Sequence, residues 1–174
     1  MNIGDSSTKA LLQAEAEALL TLSEDELNQL LGLRVQAIQS DISLSLQPSI
    51  EVETTPFEAI RIPHGVQKIV DAMVETALKQ CHNVLCSEDP DYASLRTQLS
   101  AALGLGGTAL VLAFATFLTS TLGIAAALAT VLATIIIKKI GEPTLQAGHQ
   151  AMCAGLLEIL LEKYPEPEAA DSEE

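Results

Sequence analysis

The sequence has few aromatic side chains. It holds three Phe, two Tyr and no Trp, so Leu, Ile, Val and Ala must supply the packing of any core. The same scarcity leaves no Trp/Tyr belt of the kind that anchors resident membrane helices. Basic residues are few as well: nine Lys and Arg stand against twenty-three Asp and Glu, for a formal charge of −14. Such a chain offers no general phosphate-neutralising surface, which excludes nucleic acid as a partner. Anionic lipid headgroups repel it until something brings the two together. Cysteine is limited to Cys81, Cys86 and Cys153, an odd number without framework spacing. That usage points to a reducing cytosol rather than a disulfide scaffold. The opening MNIGDSSTKA has neither a basic n-region nor an apolar h-region, so no secretory leader is expected.

Catalytic patterns are missing too. There is no Ser-His-Asp order, and no carboxylate pair can be placed on an apolar cleft. Gly104-x-Gly106-Gly107 lies inside an apolar run instead of between a strand and a helix, so it suits close helix packing better than a phosphate. The acidic clusters at Glu24 to Glu26 and Glu88 to Asp91 lack calcium-loop spacing and read as solvated turns. The expectation is a protein that is not an enzyme and holds no cofactor.

What the sequence does contain is one long apolar stretch. Thr97 to Ile137 runs forty-one residues without a charged side chain, between Arg96 and the pair Lys138-Lys139. Protein or lipid must cover it. Thr119-Ser120-Thr121-Leu122-Gly123 can close a helix–helix turn near its middle. The stretch therefore reads as a helical hairpin, with arms at about 99–118 and 124–140. Small residues recur along a seam: Ala102, Gly106, Ala109, Ala113, Thr116 and Ser120 on the first arm, then Gly123, Ala127 and Thr130 leading into the second. Spacings of three and four place such residues on one helical face, where backbones can approach to about 8 Å. Leu110, Phe114, Phe117 and Leu118 would then point away from the partner arm. Each arm offers roughly 16 to 20 apolar positions, or about 24 to 30 Å of helix, against a hydrocarbon core of about 30 Å. Local thinning and snorkelling of Lys138 and Lys139 can make up such a shortfall.

The rest of the chain reads as a shell of amphipathic helices. An apolar stripe runs from Ala10 to Leu19. Ser23 and Glu26 form a capping box with Leu22 and Leu27 as its staple, which starts a helix at Glu24 that extends toward Ile38. Between 41 and 53, Ile42, Leu44 and Leu46, then Ile50 and Val52, alternate with polar residues and suggest a short extended pair. Thr55-Pro56 and Ile62-Pro63 bracket a linker. His64 to Cys86 carries a strong helical stripe and is the helix expected to lie against the hairpin. Asp89 and Pro90 open the next helix, and Gly141-Glu142-Pro143 separates the hairpin from a last helix at about 144–163. The acidic, proline-broken segment 165–174 reads as a disordered tail. The expected fold is mainly α: a single domain over 1–164, with five to six helices around the hairpin.

His82-x-x-x-Cys86 and His149-x-x-x-Cys153 share one spacing. Residues four apart lie on one helix face, so the two pairs could together form a tetrahedral Cys2His2 zinc site. Half-buried Cys and His are more often fillers of a helix face.

Two functional readings follow. In the first, the chain is membrane-active or membrane-associated: the hairpin inserts into a bilayer, permanently or on a trigger, with self-association and a pore as possible outcomes. Its place is then the membrane, or the cytoplasm with reversible insertion. At the level of architecture the pattern resembles the helical pore-forming class, in which amphipathic helices wrap an apolar hairpin, as in colicin-type folds. In the second, the chain is a soluble scaffold or interaction domain, with the hairpin buried in a bundle or homo-oligomer and an unnamed protein as partner.

The flanking charges set a topology for the first reading. Arg96 and Lys138-Lys139 border the run, whereas its central turn carries no charge. Loops rich in Lys and Arg stay on the cytoplasmic side, so an inserted hairpin keeps both termini there and drives only the Ser120 region across. Single cysteines at Ser120 and Ser172, in a cysteine-free background, report this through an impermeant thiol reagent in intact cells. Ser172→Cys should stay unlabelled until the cells are opened; labelling of the tail from outside would reverse the topology.

Overall fold

The computed structural model describes residues 6–49 and 61–165. Among them are eight α-helices and two short 3-10 turns, with no strand. The helices are α1 (Ser6–Leu20), α2 (Glu24–Ser40), α3 (His64–Leu85), α4 (Ala93–Leu103), α5 (Gly107–Leu122), α6 (Ala126–Ile140), α7 (Glu142–Gln146) and α8 (His149–Lys163). The fold is thus a mainly α bundle. The acidic tail lies almost wholly outside the described residues, as do Ile50, Val52 and most of the linker.

Local chemistry explains several boundaries. Ser23 caps α2: its hydroxyl accepts from the Glu26 amide at 3.2 Å, and the Glu26 carboxylate accepts from the Ser23 amide at 2.7 Å. Asp89 accepts from the Asp91 amide at 2.9 Å, with Pro90 opening the 3-10 turn that leads into α4. The extended piece expected at Ile42, Leu44 and Leu46 is instead a 3-10 turn. Asp41 accepts from both the amide (3.0 Å) and the hydroxyl (2.6 Å) of Ser43, and the Ser45 hydroxyl donates to the Ile42 carbonyl at 2.7 Å. These local bonds hold the backbone in a turn, a competition with regular structure that Ser and Asp commonly win. Ile42 and Leu46 consequently remain 76 % and 87 % exposed.

Glycine splits two of the expected helices. The first arm does not run unbroken from 99 to 118: α4 ends at Leu103, and Gly106, at φ 105° and ψ 173°, separates it from α5. Only glycine occupies that backbone region readily. Gly148, at φ 105°, likewise splits the expected last helix into α7 and α8. Eight helices therefore stand among the described residues where five or six were expected. Gly123 adopts the left-handed conformation at the end of α5, and the Ile124 amide reaches back to the Leu118 carbonyl at 3.1 Å. This is a helix C-terminal closure that needs glycine. The turn between α5 and α6 accordingly falls at 123–125, a few residues later than anticipated.

Helix α6 lies at the centre. Every residue from Ala127 to Ile137 is buried, and α1, α2, α3, α5, α7, α8 and the 3-10 turn at Ile42–Leu46 all touch it. Its most extensive neighbour is α5. The face that α5 buries is the bulky one: Leu110, Val111, Phe114, Ala115, Phe117 and Leu118. The proposed small-residue seam on this arm is mostly outside it. Gly106, Thr116, Ser120 and Gly123 are exposed, Ala109 and Ala113 half-buried, and only Ala102, Ala127 and Thr130 buried. The reason is hydrophobic: in water, large side chains gain more by facing the core than small ones, about 1.5–3 kcal/mol each on full burial. Helix α3 does lie against α6, and it buries Val66, Val70, Val74, Ala77, Leu78 and Cys81.

Close packing therefore places its demand on α6. Ala133→Leu, at a fully buried position, should overpack the core and destabilise the bundle by about 1–3 kcal/mol. Thr116→Leu, on the exposed face of α5, should change stability by less than about 0.5 kcal/mol. Urea unfolding monitored by circular dichroism checks both; equal shifts in midpoint would place the α5–α6 contact on the seam after all.

Candidate functional site

The feature that sets this bundle apart is a buried helix, α6, whose cover is fastened at its edges by polar groups. Near its start, Arg34 of α2 is buried between Glu15 of α1 and the Ala127 carbonyl. Its Nη1 donates to the Ala127 carbonyl at 2.6 Å, and its Nη2 to Glu15 Oε1 at 2.5 Å and, weakly, to the Ser49 hydroxyl at 3.4 Å. One guanidinium thus ties α1, α2, the segment after the 3-10 turn and the first turn of α6. The side chains of Arg34 and Glu15 are only 5 % and 13 % exposed. Arg34 Nε and Glu15 Oε2 find no hydrogen-bond partner among the described residues, so the pair is only partly satisfied.

At the other end, Lys139 Nζ meets Glu24 Oε2 at 3.1 Å, joining the last turn of α6 to the first turn of α2. Both charges suit their helix ends: a cation at a C-terminus and a carboxylate at an N-terminus interact favourably with the backbone dipoles. Of the residues proposed to flank a membrane, Lys139 is therefore engaged in a protein contact and is half-buried, as are Lys138 and Arg96. The Arg96 Nη1 atom is buried without a partner among the described residues.

The third fastening is covalent. Cys86, which caps the C-terminus of α3, is joined to Cys153 in α8 by a disulfide across a sequence separation of 67. This corrects the expectation of reduced, unpaired cysteines. It also displaces the zinc reading, because a sulfur bonded to sulfur has no thiolate to offer a metal. His149 Nε2 lies 2.7 Å from the Leu85 carbonyl and 3.8 Å from Cys153 Sγ. The fold thus gathers Cys86, Cys153 and His149, while His82 is half-buried one turn before Cys86. Among the described residues, no three His, Cys, Asp or Glu side chains are grouped to hold a metal ion. Cys81 is separate and buried, and loss of solvent pushes its thiol up to about 12.

Three hydroxyls of α5 and α6 are bonded within their own helices. Thr116 donates to the Leu112 carbonyl at 2.9 Å, Ser120 to Thr116 at 2.7 Å, and Thr134 to Thr130 at 2.8 Å, each four residues back. A hydroxyl bonded this way needs no water. Beside these residues runs an open groove of about 690 Å³, walled by Leu12, Leu46, Leu112, Ala115, Ala129 and Thr130 among others.

Sequence reasoning missed the Arg34–Glu15 fastening, although a signal was present. Arg34 stands one helical turn after Leu30 and Leu31 and beside Val35, inside the apolar stripe of α2, where a charge must find a buried partner. Which partner it finds cannot be read from spacing. Compared with known protein families, with characterised proteins and with solved structures, the chain matches none.

The Arg34 pair has a measurable signature. Arg34→Leu alone strands the Glu15 carboxylate in the interior and should cost about 3–5 kcal/mol. Adding Glu15→Leu should recover most of that loss, since a buried pair replaced by apolar side chains is commonly near neutral. Urea titration of the two single variants and the double variant gives the coupling. Additive losses would mean that Arg34 acts through its Ala127 contact alone.

Proposed function

We propose that this chain is a membrane-active helical protein that keeps its α5–α6 hairpin covered in water and delivers it to a bilayer on release of the cover. The observation that carries this reading is α6 itself, which is apolar around its whole circumference from Ala127 to Ile137 and carries no charge before Lys138. A helix on the surface of a water-soluble bundle needs only one apolar stripe, so α6 is suited equally to lipid and to the centre of a protein. The self-satisfied hydroxyls of Thr116, Ser120 and Thr134 support the reading, because unpaired polar groups are what a hydrocarbon environment penalises most.

Helix length shapes the mode of insertion. No helix among the described residues is long and apolar enough to cross a membrane. At 16 and 15 residues, α5 and α6 measure about 24 and 22 Å against a hydrocarbon core of about 30 Å. The inserted form is therefore a shallow or thinning hairpin, or one lengthened by extension of α5 through the 104–106 break into α4. Association of several copies, up to a pore, would shield its ends. The chain's role in this reading is mechanical, with lipid as its partner and no catalytic turnover.

A second reading, a soluble scaffold or interaction domain, is favoured by the complete cover that the chain's own helices give α6. Dye-loaded vesicles separate the two. The membrane reading expects dye release from vesicles, at neutral or acidic pH, and protein that resists a carbonate wash after binding. Full recovery of protein in the supernatant, with no release from neutral or anionic vesicles, would leave the scaffold reading.

A further inference from the structure

Two half-buried cysteines, a histidine and the end of a long helix meet where α3, α6 and α8 come together. The disulfide they contain is built asymmetrically. Cys86 sits at the C-terminal end of the 22-residue α3, where the backbone carbonyls disfavour negative charge. Cys153 sits in the second turn of α8, with His149 Nε2 3.8 Å from its sulfur. The same Nε2 lies 2.7 Å from the Leu85 carbonyl. A carbonyl can only accept, so Nε2 carries the hydrogen and donates it. That N–H is held mainly by the Leu85 carbonyl, and a thiolate on Cys153, 3.8 Å away, would share it.

The crosslink also holds more than its size suggests. Helix α8 buries only Met152 and Leu156 among its fifteen residues, yet it lies against α3, α6 and α7. The bond to Cys86 adds a covalent tie to that packing. The loop that the disulfide closes contains α4 to α7, and so the whole apolar pair α5 and α6.

We infer that Cys86, Cys153 and His149 form a thiol–disulfide exchange site, at which a thiol reductant attacks Cys86, expels Cys153 as thiolate and frees α8 from α3. In the first step the thiolate of the reductant forms a bond to Cys86 Sγ. The Cys86–Cys153 bond breaks, and its electron pair leaves on Cys153, beside the His149 N–H. A second reductant thiolate then attacks the reductant sulfur of the mixed disulfide. The reductant departs as a disulfide and leaves a thiolate on Cys86, and water protonates the two protein sulfurs. Two electrons pass from the reductant to the protein. The direction follows from leaving-group chemistry, since the sulfur better able to carry negative charge departs faster. Cys81 takes no part, because it is buried and its thiol is held protonated. The inference does not depend on whether α6 ever meets a bilayer.

The test uses the full chain purified without reductant. Denatured and titrated for thiols, it should show one free thiol per chain, that of Cys81; three would overturn the site at once. The native protein is then exposed to glutathione, trapped with a fast alkylating agent, digested and analysed by mass spectrometry. Glutathione should be found on Cys86 and the alkyl group on Cys153, in roughly five- to tenfold excess over the reverse arrangement. His149→Gln, which keeps an N–H donor, should hold much of that bias, whereas His149→Ala should bring the ratio close to one. An even ratio in the unsubstituted protein, or an excess on Cys153, would overturn the assignment, and this arm stands even where a His149 variant does not fold. Hydrogen exchange before and after reduction should show α8 amides exchanging roughly tenfold faster or more, with α5 and α6 less affected. Unchanged protection of α8 would show that the bond does not hold the helix in place.

Discussion

Everything in this bundle answers to the burial of α6. A helix that is apolar on every side cannot rest on a surface, so other helices must close around it completely. Each large side chain it buries contributes about 1.5–3 kcal/mol, while the net stability of a domain is about 5–15 kcal/mol. Leu128, Val131, Leu132, Ile135 and Ile136 are all within the core. Losing the cover from all five would therefore match the whole margin. The arrangement of α1, α2, α3, α5 and α8 is what satisfies that demand, and it is also what any partner of α6 has to displace.

The fastenings are placed where helices meet at the edges of this cover, and they differ in kind. Arg34 is an ion pair in the interior, with Glu15 as its counter-charge and the Ala127 carbonyl as a second acceptor. Such pairs gain less than they cost in desolvation unless every polar atom is satisfied, and two atoms of this pair lack partners among the described residues. It joins α1 and α2 to the start of α6. Lys139 and Glu24 do the same at the far end with partly solvated charges. The disulfide ties α8 to α3 without reference to solvent at all.

The acidic surface and the apolar centre pull in different directions. A charge of −14 favours solubility and opposes approach to anionic bilayers. The run from Gly107 to Ile137 within carries no charged side chain, and its Thr116, Ser120 and Thr134 hydroxyls are bonded to the backbone of their own helices. In the proposed function these two properties are sequential: the surface governs approach, and the fastenings govern whether α6 is released.

The helical class, the apolar run, the Ser23–Glu26 cap and the amphipathic character of α3 were all legible in the sequence, because each depends on residues within a turn or two of one another. Alternation at Ile42, Leu44 and Leu46 misled, since serine and aspartate side chains bonded the local backbone into a turn, and no strand stands among the described residues to compete. Glycine gave a correct sign of a break at 141 and near 123. At 106 and 148 it was read through, because an isolated glycine in an apolar run is compatible with both a helix and a turn until neighbouring helices settle the path. The seam was inverted for a related reason: spacing identifies two faces of a helix, but only the surrounding medium determines which is buried. Three and four positions apart, the small residues of α5 form a face as regular as that of the bulky ones, and water selected the bulky one. Partners across the fold were beyond the sequence altogether. Arg34 with Glu15, Lys139 with Glu24, and Cys86 with Cys153 are separated by 19, 115 and 67 residues. No local periodicity connects positions so far apart; the packing of α1, α2, α3 and α8 around α6 brings them together.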